Sequence, residues 1–139
     1  MARAFTDVTV GEDLGTRVIP VARQTLVDYA NASLDQNPIH QDEEFAKKVG
    51  LPDVIAHGMW TMGAAGTLAA DWAGDAGRVV QYGTRFTSMV VVPPDGAELE
   101  VSGVVKSLDE ATRRATVELT ATAAGQKVLG RCTAVVQLD

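Results

Sequence analysis

The sequence predicts an α+β fold in which one antiparallel sheet curls around a single long helix. Three observations predict it. Residues 58–70 carry no charge, and their apolar and small side chains run round every side, the pattern of a covered helix. From Val79 onward the composition shifts to β-branched and aromatic residues in alternating stretches. No other element is apolar and long enough to cover one face of the sheet those stretches would form.

The elements follow in order. Residues 5–22 read as an opening segment and a first strand, with Gly11 and Gly15 as turn positions. Pro20 cannot donate to a ladder, so this strand belongs at an edge. Residues 23–33 put Leu26, Tyr29 and Ala30 on one helical face. Pro38 then pushes Asn37 towards extended geometry, so Asp35 to His40 form an irregular turn. A short helix comes next, capped by Asp42, favoured by Glu43 and Glu44 at its positive end and closed by Gly50 and Pro52. After a connector at 51–56 the long helix runs from Gly58 to about Ala73. Gly63 to Gly66 would let sheet backbone approach it closely, offsetting the roughly 1 kcal/mol that a helical glycine costs. Strands are expected over 79–92, 98–105, 116–122 and 127–138, stopped by Pro93-Pro94-Asp95-Gly96, Leu108–Ala111 and Ala124-Gly125. Four strands in series with short links predict a meander.

Residues 1–139 are expected to make one domain, since that length buries a sizeable core. A hydrophobic fraction of 46% and a charged fraction of 22% are those of an ordinary globular chain. The net charge of −6 speaks against nucleic acid as a partner, leaving room for a local basic mouth that takes a phosphate. The first residues lack the apolar core of a signal peptide, and the longest uncharged run makes a helix of roughly 20 Å, too short for a bilayer. The single cysteine, Cys132, excludes an internal disulfide and reads as a small core residue. A cytoplasmic protein with no membrane contact is expected.

Both histidines, His40 and His57, lie between residues 33 and 70, and Asp35 precedes His40 by a proline turn. A plain capped turn would use the same residue types. The functional reading is that carboxylate and imidazole hold one water between them, the imidazole taking and returning its proton near neutral pH. Asn37 would hold the turn through side-chain bonds to backbone. Gly58 opens the long helix, so its amide is an unpaired donor that can face a carbonyl oxygen gaining negative charge. A simple N-terminal glycine is the alternative. His57 is expected to pack or cap rather than react. Asp35, His40, Asp42 and His57 match no helical metal motif, and neither Ser33 nor Ser88 sits in a nucleophile elbow, so no metal and no serine triad is expected. Arg85 reads as structural, held at the sheet margin.

The stretch Y-A-N-A-S-L-D-Q-N-P-I-H-Q-D-E-E-F-A resembles the hydratase motif of the MaoC-like, (R)-specific enoyl-thioester hydratases and dehydratases. That motif usually has an aromatic residue, then Ser-Gly-Asp-x-Asn-Pro-Ile-His, then acidic residues and an alanine. The later A-H-G-M and Y-x-x-R-F segments are similar to that family too, in the expected order. N-P-I-H, I-A-H-G-M-x-T-M-G and P-x-D-G-x-x-L are shared with its members in mycolic acid synthesis. The resemblance implies a hot-dog fold. It implies that Asp35 and His40 are the catalytic pair, that the Gly58 amide is the oxyanion donor and that Asn37 supports them. The implied reaction interconverts (3R)-3-hydroxyacyl and trans-2-enoyl thioesters of coenzyme A or acyl carrier protein, in fatty-acid or mycolic-acid elongation, with no cofactor. The implied assembly is a homodimer or a heterodimer with a related hot-dog subunit. A hot-dog thioesterase and a non-catalytic partner subunit are the competing readings. One departure is Leu34, where the family has glycine; it is expected to alter the turn or narrow the pocket.

Overall fold

The computed structural model describes residues 2–139. Its elements are β1 (Asp13–Val21), α1 (Arg23–Ser33), a 3-10 turn (Pro38–His40), α2 (Glu43–Lys48), α3 (Gly58–Ala73), β2 (Val79–Phe86), β3 (Ala97–Asp109), β4 (Arg114–Ala123), β5 (Gln126–Lys127) and β6 (Leu129–Gln137). The strands pair antiparallel in the order β1-β3-β4-β6-β2, with β5 on β4. The sheet curls round α3, which is the hot-dog arrangement. Its inner face carries the core: Leu99, Val101, Val117, Leu119, Cys132 and Ala134 are buried. Cys132 is thus a core residue, as expected.

Pro20 lies on the edge strand β1 opposite Glu98, where its missing N–H leaves no central ladder broken. Asp42 caps α2, its Oδ1 accepting from the Phe45 N–H at 3.0 Å. The expected four-strand meander is corrected, because β2 does not neighbour β3. It lies at the far edge beside β6, and only β3, β4 and β6 run as a meander. Residues 87–96 make the crossing. Ten residues reach up to ~33 Å, against ~14 Å for three strand spacings. The expected strand over 79–92 therefore ends at Phe86. Beyond it, Val90 and Val92 leave the sheet and pair with the connector before α3, through Ala56 N–H to Val90 O and Val92 N–H to Val54 O, both 2.9 Å.

A second correction concerns α3. One face is buried, through Thr61, Ala65, Leu68, Ala69 and Ala73 at helical spacing. The opposite stripe is open: Met59 is 60% exposed, and Gly63 and Thr67 face outward. One curled sheet covers only one side of a cylinder, so the helix, uncharged over residues 58–70, is half-covered. The close approach at its small residues also differs from expectation. A Cβ on Gly66 would stand 2.8 Å from the Tyr82 ring, whose hydroxyl donates to Met62 O at 2.5 Å, while Gly63 meets nothing within 4 Å.

Arg23, the first residue of α1, ties the helices that flank the site to the segments beneath them. Its guanidinium donates to Asp53 at 2.6 Å, Glu43 at 3.1 Å and the Val92 carbonyl at 3.2 Å. Glu43 also meets Lys47, and these hydrogen bonds hold its carboxyl below the usual range.

Leu34 ends α1 in the left-handed conformation, φ +67° and ψ +10°. The turn thus keeps the backbone that glycine favours. The side chain is 82% exposed and lines no cavity at the site, so the expected narrowing does not occur. A left-handed non-glycine residue costs about 1–2 kcal/mol, and glycine loses about 0.5–1 kcal/mol more entropy on folding. Leu34→Gly is therefore expected to raise unfolding free energy by about 0.5–1 kcal/mol, read as a higher urea midpoint at unchanged slope.

Candidate active site

The turn after α1 is built from side chains bonding to backbone. Ser33 Oγ accepts from Asp35 N–H, Asp35 Oδ1 from Asn37 N–H, and Asn37 Oδ1 from Ile39 N–H, each at 3.2 Å. Pro38 starts the 3-10 turn, which presents His40. Asn37 therefore holds the turn in the way the sequence suggested.

His40 is buried, and its Nδ1 lies 2.6 Å from the Ile55 carbonyl. A carbonyl only accepts, so Nδ1 carries the proton and Nε2 keeps its lone pair. Burial pushes the His40 pKa down; the Ile55 bond opposes this, His57 lowers it further and Asp35 raises it. His57 stacks on His40 with ring centres 3.7 Å apart and planes 21° apart, and Tyr29 from α1 packs against it at 4.8 Å. By the same reasoning His57 Nε2–H donates to the backbone carbonyl of Asp35, at 3.0 Å. One polar atom from each of Asp35, His40 and His57 lies within 4.8 Å of the others. No direct hydrogen bond joins the Asp35 carboxylate to the His40 ring, which leaves room for a bridging water.

Gly58 starts α3 beside them. Its N–H donates to no group among the described residues, and His57 supplies no side-chain cap. The Phe86 ring lies against it, so that a Cβ there would stand 3.1 Å from Phe86 Cε1. Tyr29, Asp35, His40, His57, Gly58 and Phe86 wall a cavity of about 380 Å³. A second cavity of about 180 Å³, lined by Ile55, Thr61, Val90 and Val128, shares Gly58 and Phe86 with the first. No lysine or arginine lines either one, so these walls do not supply the basic mouth that the charge balance left open. As a metal site the trio fits poorly, because His57 spends Nε2 on a carbonyl and its Nδ1 is buried from solvent.

A family model described as "MaoC like domain" matches residues 6–126. The chain belongs to the MaoC-like family. Enoyl-CoA hydratase ChsH3 of Mycobacterium tuberculosis is 38% identical to this MaoC-like chain over 95 residues, 61% of the chain and 33% of ChsH3. A solved MaoC-like dehydratase is 44% identical with a TM-score of 0.97, covering 99% of this chain and 43% of that one. The R-hydratase PhaJ1 of Pseudomonas aeruginosa shares the fold at 23% identity and a TM-score of 0.84, covering 99% of this chain and 86% of that one. The chain spans a third or less of the first curated relatives it matches.

The site residue that sequence reasoning undervalued is His57. It was expected to pack or cap; it packs, and it also bonds to the turn that carries Asp35. Its signal was a histidine directly before an uncharged helix, with only one other histidine in the chain.

Proposed function

We propose that residues 1–139 form one catalytic MaoC-like unit, a hydro-lyase interconverting (3R)-3-hydroxyacyl and trans-2-enoyl thioesters. One observation carries this reading: the Asp35 carboxylate and the His40 imidazole face a cavity whose wall holds the free Gly58 N–H. In hydration, water sits between Asp35 and His40 beside C3. His40 Nε2 takes its proton as the oxygen bonds to C3, and the C2=C3 electrons move to the thioester carbonyl. Gly58 N–H receives that charge, with the α3 dipole behind it. A proton from the coupled pair then reaches C2, restoring the carbonyl. Asp35 and His40 are the catalytic residues of this scheme, Gly58 the oxyanion donor and Asn37 the support.

The names of the relatives, an enoyl-CoA hydratase, a dehydratase and an R-hydratase, support the reaction class and the (3R) configuration. The carrier is coenzyme A or acyl carrier protein, the setting acyl-chain elongation in the cytoplasm. No helix among the described residues is long and apolar enough to cross a membrane. The open stripe of α3 and the outer edge of β2 support pairing with a second copy or with a related hot-dog subunit. A purely non-catalytic partner role is disfavoured by the intact Asp35 and His40.

Incubation with crotonyl-CoA separates hydratase from thioesterase. Loss of enoyl absorbance to an equilibrium mixture, without thiol release above buffer, is expected. Thiol appearing in step with substrate loss would replace the reading with thioester hydrolysis.

A further inference from the structure

His57 lies against both reacting groups in the wall of the same cavity. Its Nε2–H holds the backbone carbonyl of Asp35, 22 residues away in sequence, and its ring backs the full face of His40. It is itself buried, pressed from the α1 side by Tyr29, and its Nδ1 has no hydrogen-bond partner among the described residues. A buried polar atom without a partner costs free energy, so the site tolerates this one for what the rest of the ring does.

Resting on the hydratase reading above, we propose that His57 is a positioning residue, locked as the neutral Nε2–H tautomer, that holds Asp35 and His40 as one unit. Without the bond to the Asp35 carbonyl, the turn after α1 is anchored to the α3 side through Ile39 O and the His40 ring alone. Without the flat ring beneath it, His40 keeps its Ile55 bond but loses the surface that fixes its plane. The titratable groups facing His57 are Tyr29 from α1 and Asp35 and His40 from the turn; residues 58–70 of α3 carry no charge.

The test uses His57→Phe, which keeps a ring against His40 but removes the donor, and His57→Gln, which keeps a donor but removes the stack. With circular dichroism showing both folded, crotonyl-CoA hydration by His57→Phe is expected to lose about tenfold or more in kcat with KM changed less than threefold, since small misplacements of reacting groups are costly. His57→Gln should recover part of kcat. A folded His57→Phe enzyme with wild-type kcat would overturn the proposal. Imidazole NMR gives a readout independent of turnover, since the chain has only two histidines. His57 should appear as the Nε2–H tautomer and His40 as the Nδ1–H tautomer. An Nδ1–H tautomer at His57 would also overturn it. If the wild-type protein hydrates no enoyl thioester, the hydratase reading falls, while the NMR result still decides whether His57 orders the pair.

Discussion

Asp35→Asn is expected to lower enoyl hydration by at least 10² while leaving the thermal midpoint nearly unchanged. General acid–base groups contribute about 10²–10⁴ to rate. The side chain is exposed, and the hydrogen bond it accepts from Asn37 N–H can be kept by the asparagine amide oxygen. His40 should show an equal loss of rate but a different stability. It is buried, bonded to Ile55 and stacked on His57, so His40→Ala is expected to cost about 1–3 kcal/mol as well, through the unsatisfied Ile55 carbonyl. His40→Gln is the cleaner variant. The wild-type pH profile follows from the lowered His40 pKa. Its Nε2 must be unprotonated to act as base, so kcat/KM should hold as pH falls through 6.5 and decline only below it. The linkage has the same sign. A histidine with a depressed native pKa binds fewer protons folded than unfolded, so this group's stabilisation is present above about pH 6.5 and lost as pH falls through the lower native value. A variant with near-wild-type turnover, or a limb above pH 6.5, would contradict the assignment.

Arg23→Met is expected to give the largest loss of stability. Asp53 is buried, and its Oδ1 receives the Arg23 guanidinium at 2.6 Å and its own next N–H, that of Val54, at 2.7 Å. Removing the cation leaves a carboxylate with little water beneath the site. Breaking a buried pair from one side costs about 3–5 kcal/mol; Arg23 is partly exposed, which lowers the expectation to about 2–3 kcal/mol. A thermal midpoint lowered by roughly 6–12 °C would fit a chain of this size. Because Arg23 also holds Glu43 and the Val92 carbonyl, activity at 25 °C should fall less than stability. Unchanged denaturation would show that water reaches Asp53 freely.

Much of this was legible from residue types. Pro20 placed β1 at an edge, Asp42 marked the start of α2, and the proline turn isolated Asp35 and His40 from regular structure. These are local effects, fixed by backbone geometry within a few residues. What was not legible depends on partners distant in sequence. Nothing within Val79–Phe86 says that it pairs with β6 rather than β3, since either neighbour offers a ladder of similar residues. The absence of charge over residues 58–70 reads as complete burial because the pattern reports what a helix can hide, not how much of it one sheet covers. His57 reads alone as a capping residue; its contacts with Asp35, His40 and Tyr29 exist only once α1, the turn and α3 meet.

The outer edge of β2 has a consequence for handling the molecule. β2 ends the sheet order, so one side of its backbone meets no strand among the described residues. Val80 and Phe86 on that strand are exposed, and Arg85 is its only charged side chain. Bare edges of this kind recruit further strands, and charge or proline is what usually blunts them. Copies with that edge bare are predicted to aggregate edge to edge, and a second lysine or arginine at Val80 should keep them dispersed.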